Sequence, residues 1–284
     1  MANENRKFKI AISIILAVAL LWTAALSVMF FLHSDALKSL CEDERQWIYV
    51  CGREVTRKNS DDILGDGTVS YDIYNNILTL SNAHLEYAGP AVILAEKDLS
   101  IALDGENTIV CTGEDTAIGV YASNLMLRKD VCFIGAGSLL IEGRGGANAT
   151  AGGIVANDIW AYSDVSIDLV GAPEDSIGIE CSYLGLMEGC EVSVKVDSTG
   201  ESGGIYVRGD LALMDDAALE VVNTKNGANS RGIECTGSLI ANEGSTISST
   251  AGENEPGVLC HGVFVNCGAT LNTQINAMGG THYE

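Results

Sequence analysis

Residues 178–186 read GIECSYLGL, and residues 232–240 read GIECTGSLI. Two near-copies with a cysteine in the fourth place allow three readings of that cysteine: a disulfide, a metal site or a nucleophile. The spacing of everything around the pair decides between them, and it decides the fold as well.

The pair belongs to a longer series. Copies begin at Gly119 (GVYASNLML), Gly153 (GIVANDIWA), Gly178, Gly204 (GIYVRGDLAL), Gly232 and Gly257 (GVLCHGVFV), at intervals of 34, 25, 26, 28 and 25 residues. A further copy without the glycine starts at Val92 (VILAEKDLSI), and the long first interval predicts an insertion around GRGGANATAGG, residues 143–153. Each unit continues with a second alternating pair, such as Leu211/Leu213 or Val263/Val265, and a third, such as Leu219/Val221 or Val192/Val194. Three short strands of period two therefore fill each repeat. Repeats of about 25 residues holding three strands are too short for propeller blades and too rich in strand for helical arrays. The expectation is an all-β chain, a three-sided parallel β-helix of about seven coils over residues 92–280. Neighbouring coils stack at ~4.8 Å, the ordinary strand spacing, so equivalent positions form ladders.

Alternate positions point alternately in and out. The position after the glycine carries Ile93, Val120, Ile154, Ile179, Ile205, Ile233 and Val258, a β-branched row suited to a packed interior. Two residues on, facing the same way, stand Ala95, Ala122, Ala156, Cys181, Val207, Cys235 and Cys260. Every member is small and apolar, so the cysteines fill an alanine-like slot as small buried hydrophobes. Cys181 and Cys235 lie two coils apart, about 9.6 Å, beyond the ~7 Å Cα limit of a disulfide. Cys235 and Cys260 are adjacent, and a bond between them stays open. No CxxC pair occurs, and His33, His84, His261 and His282 are scattered, which argues against zinc. Cys41 and Cys51 lie outside the repeats and are the expected oxidised pair in an exported chain.

The outward rows carry the chemistry. On the first strand they read Leu94, Tyr121, Val155, Glu180, Tyr206, Glu234 and Leu259, followed by Glu96, Ser123, Asn157, Ser182, Arg208, Thr236 and His261. Three successive coils thus align Glu180, Tyr206 and Glu234, with Arg208 beside the tyrosine. An exposed aromatic stacks on a sugar ring while carboxylates and a guanidinium bond hydroxyls or uronates, which makes these four the candidate glycan site. The alternative is a solvated face on which Arg208 merely pairs with the glutamates. At the turn before each first strand Glu114-Asp115, Glu174-Asp175, Glu201 and Glu253-Asn254-Glu255 recur. No cofactor is expected, but stacked carboxylates either spread in solvent or share a cation, and Ca²⁺ is the cation such oxygens accept. The outward positions of the second strand read Ser100, Met126, Trp160, Gly185, Ala212, Ile240 and Phe264. An apolar stripe marks a covered surface, so the Met126/Trp160/Ile240/Phe264 face is a candidate protein contact, covered by segment 37–58, a loop or a second copy. A slip of one residue in this strand is the other reading.

The formal net charge of −22 sets nucleic acid aside, because phosphate binding needs Lys and Arg. Three prolines and 32 glycines spread along the 284 residues argue for one elongated domain. Ahead of it, Ile10 to Leu32 forms 23 residues without a charge, enough at ~1.5 Å rise to cross a hydrocarbon core of about 30 Å. Arg6, Lys7 and Lys9 precede it, while Asp35, Glu42, Asp43 and Glu44 follow, so residues 1–9 stay cytoplasmic and the remainder is exported. A cleaved signal peptide is the alternative, although its apolar region normally runs only about 7–15 residues. The layout is then a cytoplasmic tail (1–9), a transmembrane signal anchor (10–32), a linker (33–46), a β cap (47–91), coils (92–280) and a tail (281–284).

Within the cap, LGDGTVSYD and NNILTLSNAHL read as two strands joined by a turn, closing the end of the first coil. The segment GREVT…NSDDILGDGTVSYD…NNILTLSNA, followed by GIY/GIE coils, resembles the N-terminal part of surface β-helix proteins of Gram-positive, often gut, bacteria. That group is described as carbohydrate-binding domain-containing. The resemblance implies an exported right-handed β-helix and a polysaccharide partner at the cell surface, with no catalytic signature and no residue-level site to carry over.

Three function classes follow: a membrane-anchored extracellular glycan binder, a structural or adhesive stalk, and a polysaccharide lyase or hydrolase. The fold does not choose among them. Glu180 and Glu234, about 9.6 Å apart by coil spacing, sit near the upper limit for an inverting pair, and nothing else in the row completes a catalytic set, so catalysis is not expected. The topology is directly testable. Protease added to intact cells is expected to remove the coils and leave a short membrane-embedded fragment; full protection would contradict the export of residues beyond Asp35.

Overall fold

The computed structural model of the chain describes residues 45–122, 131–144, 150–172, 176–198, 202–224, 230–252, 255–266, 268–278 and 281–283. The expected tail, anchor and most of the linker, residues 1–44, lie outside them, as do Met126, Cys41 and the turn residues Glu174, Asp175, Glu201, Glu253 and Asn254. Among the described residues there is no helix, and the strands from Arg45 onward form a β-solenoid.

Each repeat contributes three strands, and each strand pairs in parallel with its equivalents in the coils on either side. The first strands run through Ala91–Ala95, Thr116–Ala122, Thr150–Val155, Ser176–Cys181 and Ser202–Val207. The third strands form a separate parallel sheet of eight, from His84–Tyr87 to Thr270–Asn272. In two late coils the first and second strands merge into single runs, Arg231–Ala241 and Val258–Val265. The first-face ladder is in register at every step from Leu94 to Leu259, so both expected inward rows hold. Ile93, Val120, Ile154, Ile179, Ile205, Ile233 and Val258 are all buried, as are Ala95, Ala122, Ala156, Cys181, Val207, Cys235 and Cys260.

The glycine that opens each copy has a specific job. The ladder pairing skips it: Ile177 pairs with Gly203 and Ile179 with Ile205, leaving Gly178 and Gly204 between bridges. Burial along Ser176–Cys181 and Ser202–Val207 alternates, slips by one residue at the glycine, and resumes. This local bulge turns the strand by one phase. It also brings backbone against backbone. A Cβ on Gly178 would lie 2.5 Å from the carbonyl oxygen of Gly204, and one on Gly204 would lie 2.5 Å from that of Gly232. On the other side it would meet Val194 or Val221 from the third strand at 2.2 Å. From Gly119 to Gly257 the column is therefore a line of closest approach between coils, while Val92 holds the equivalent place in the first coil.

Corners elsewhere are closed by buried amides. Asn107 accepts the Ala83 N–H at 2.9 Å and donates to the carbonyls of Asp104, Gly105 and Ser138. Asn223 donates to the carbonyls of Ser202 and Arg231, each at 3.0 Å, and accepts from the Ser202 hydroxyl. Burying an amide is costly unless its polar atoms are paired, and here they are.

The two strands expected from the turn signals near the N-terminal end are present. Val69–Asp72 and Ile77–Ser81 form an antiparallel hairpin, and Arg45–Val50 lies antiparallel on Ala91–Ala95. Ile77–Ser81 and His84–Tyr87 already pair in parallel with the next coil, so parallel stacking reaches back into the segment read from sequence as cap.

Two expectations need correcting. Most of the extra residues of the long interval fall between Ala122 and Val131 rather than around 143–153, because Val131 stacks on both Leu99 and Ile159. For the same reason the outward second-strand row is Ser100, Cys132, Trp160, Gly185, Ala212, Ile240 and Phe264, with Cys132 in the place given to Met126. The slip came from Leu125 and Leu127, whose spacing imitates an inward pair. Gly204→Ala is expected to destabilise the fold by about 1–3 kcal/mol, since the opposing carbonyl cannot yield. Gly203→Ala is the control, its nearest neighbour being Ile177 Cγ1 at 3.9 Å, and should leave the midpoint of urea unfolding little changed.

Candidate functional site

The opening cysteines resolve as core. Cys181, Cys235 and Cys260 are buried free thiols, and Cys235 Sγ donates to the Gly209 carbonyl at 2.9 Å. Burial pushes the Cys235 thiol up to about 11 and the Cys111 thiol up to about 12, so neither offers a thiolate near neutral pH. Cys235 and Cys260 are ladder neighbours, yet both are free. Cys51 is free as well, while its expected partner Cys41 lies outside the described residues. Glu114, Asp115 and Glu255 are the described members of the turn carboxylates, and among the described residues no three His, Cys, Asp or Glu side chains converge as a metal set.

The structure brings the four glycan-site candidates together. Glu180 pairs in register with Tyr206, and Tyr206 with Glu234. All three are half-buried on the outer face. Arg208, one coil beyond Glu180 and two residues past Tyr206, bonds Glu180 Oε1 through its terminal nitrogen at 2.5 Å. Its own backbone N–H donates to the Cys181 carbonyl at 2.9 Å, and Thr236 Oγ1 donates to its carbonyl. The arginine is thus fixed at both ends, with more of its side chain in solvent than that of Glu180. A second pair, Arg231–Glu234, escaped the sequence reading. In a regular strand residues three apart face opposite ways; the bulge at Gly232 puts Arg231 and Glu234 on one side. The result is a tyrosine flanked by two Arg–Glu pairs, a polar frame with an aromatic centre. Such partly exposed pairs add only about 0–1 kcal/mol to stability, so their effect is orientation.

Farther along the same row the structure places something the sequence did not suggest. Tyr49 of the capping strand pairs with Leu94, and Leu94 with Tyr121. Tyr87, from a third-face strand, stands beside them, and together with Ile118 and Glu96 these residues line a cleft of about 590 Å³. Tyr49 and Tyr87 belong to the expected cap, so no periodicity linked them to Tyr121.

The apolar second face is partly covered by its own side chains. Trp160 leans over Gly185, where a Cβ would lie 2.8 Å from its ring, and meets Tyr183 with ring centroids 4.7 Å apart. Ala212 is buried, Ile240 is half-buried and Phe264 remains 45% exposed.

In comparisons with known proteins, no family model, no curated protein and no solved structure matches the chain. The arrangement has to be interpreted from its own chemistry.

Thiol labelling of the native chain is expected to miss Cys181, Cys235 and Cys260 and to find all three after denaturation; native labelling of Cys181 would contradict the ladder. A pH dependence accompanies this. A thiol raised by burial favours folding below the ordinary value of 9.0 and loses that contribution as pH rises through its folded value. The unfolding midpoint should therefore fall between about pH 9 and 11, and Cys235→Ala should flatten that slope.

Proposed function

We propose that the chain is an exported, membrane-anchored β-solenoid that binds polysaccharide at the cell surface without catalysis. The observation that carries this reading is the in-register line Glu180–Tyr206–Glu234 with Arg208 clamped beside it. A pyranose ring presents a C–H face to Tyr206, and the flanking carboxylates and guanidinium supply acceptors and donors for its hydroxyls. Successive coils repeat at a distance comparable to the advance of one sugar in an extended glycan, so a chain running along the axis meets equivalent positions. Residues 10–32 serve as the single span, with the coils outside. The winding is right-handed, as parallel strand–crossover–strand connections nearly always are. The likeness of GREVT…NNILTLSNA and the GIY/GIE coils to carbohydrate-binding surface proteins adds to this reading.

A second reading, a stalk, is favoured by one specific observation: both glutamates of the row already have arginine partners within the face. Calorimetric titration of the full-length chain, held in a non-glycosidic detergent, with acidic and neutral polysaccharides separates the two. Tyr206→Ala is expected to weaken glycan binding roughly 5- to 150-fold, the loss of one aromatic platform at about 1–3 kcal/mol by analogy with base stacking. Leu94→Ala, at the far end of the same row, should change little. Equal binding by wild type and Tyr206→Ala would displace the site, and absence of binding by wild type would leave the stalk.

A further inference from the structure

The cleft at the N-terminal end of the first face is a built feature. Tyr87 sits where two glycines leave room for it: a Cβ on Gly89 would lie 2.1 Å from its Cε1, and one on Gly52 would lie 2.3 Å from its hydroxyl oxygen. Gly52 has φ of +71°, a conformation that a side chain would strain. The backbone that positions the opposite wall is equally fixed. Tyr49 is held by the antiparallel pairing of Arg45–Val50, and the Glu96 N–H donates to the Trp47 carbonyl at 2.8 Å.

The chemistry of the lining is one-sided. Three tyrosines, Leu94 and Ile118 make the walls, and among the described residues no Lys or Arg lines the cleft and Glu96 is the one carboxylate at its rim. Among the described residues the hydroxyls of Tyr49, Tyr87 and Tyr121 and the carboxylate of Glu96 have no side-chain partner, and no ring contact joins the three tyrosines. Aromatic faces carry negative potential, and several of them around one space attract a cation. A metal ion or a compact ammonium would forfeit too much hydration against Leu94 and Ile118. An alkylated ammonium sheds little, because its methyl groups already shield the charge and pack against apolar walls. A neutral sugar would leave the charge of Glu96 unbalanced. The volume suits a small molecule.

We infer that this cleft binds a small alkylated ammonium ion, with Tyr49, Tyr87 and Tyr121 facing its methyl groups and Glu96 supplying the counter-charge. The inference does not rest on the glycan reading, because the two sites share only a row of the solenoid. The site is specific for charge, so choline and its uncharged carbon isostere, in which a tert-butyl group replaces trimethylammonium, separate cation recognition from a merely apolar cleft.

The test is calorimetric titration of the full-length chain in a polyoxyethylene detergent, which carries neither choline nor sugar. Choline is expected to bind, and the isostere to bind about tenfold more weakly or worse. Tyr121→Ala and Glu96→Gln should each weaken choline roughly 3- to 30-fold. Gly89→Ala, which forces the Tyr87 ring from its seat, should weaken it likewise, and Tyr121→Ala keeps the test sound if that variant fails to fold. Leu259→Ala should leave choline binding unchanged. Equal affinity for choline and the isostere would overturn the inference, as would no choline binding by a chain with an intact unfolding transition. Binding of a methyl hexoside that Tyr121→Ala abolishes would assign the cleft to sugar and overturn it too.

Discussion

Everything in this structure depends on how closely one coil approaches the next. Hydrogen bonding sets the stacking step at ~4.8 Å, and within the first strands from Gly119 to Gly232 the step brings a glycine α-carbon against the following glycine's carbonyl. A side chain on any of these glycines would hold the coils apart. The same bulge shifts the alternation by one residue, and that shift puts Ile179 and Cys181 inside while Glu180 faces out. The site residues are therefore consequences of the glycine column as much as of their own identities. Arg231 reaches Glu234 for the same reason.

The inner rows were legible because burial in a solenoid repeats twice over, along each strand with period two and across coils with a period near 25 residues. A slot that holds Ala95, Ala122 and Val207 identifies Cys181 and Cys235 as core without any structure. Where the second period failed, the reading failed with it. Between Ala122 and Val131 the chain offers Leu125 and Leu127 at the spacing of an inward pair, and local pattern cannot distinguish them from Val131 and Phe133, which occupy the ladder. The choice is made by contacts with Leu99 and Ile101 in the coil before, which lie more than one repeat away in sequence.

The candidate glycan row was visible because its members come from equivalent places in successive copies. The tyrosine cleft was not, because its walls come from three inequivalent places: an antiparallel capping strand, a third-face strand and a first-face strand. Tyr87 is oriented by the absence of two Cβ atoms, at Gly52 and Gly89, and an absent atom leaves no hydrophobic pattern. Solenoids confine non-repeating geometry to their ends, so a pocket that breaks the repeat is most readily built where the coil meets its cap.

Stacking in register has one more effect. Tyr121 and Tyr206 stand three coils apart, with Val155 and Glu180 between them, a separation of about 14 Å. Because each repeat contacts only its neighbours, gain or loss of one whole repeat between the two tyrosines would lengthen or shorten that interval by a single strand spacing while leaving each locality intact. The first face behaves as a ruler graduated by the peptide hydrogen bond. Evolution can reposition marks on such a ruler by duplication alone, with no need to redesign a core.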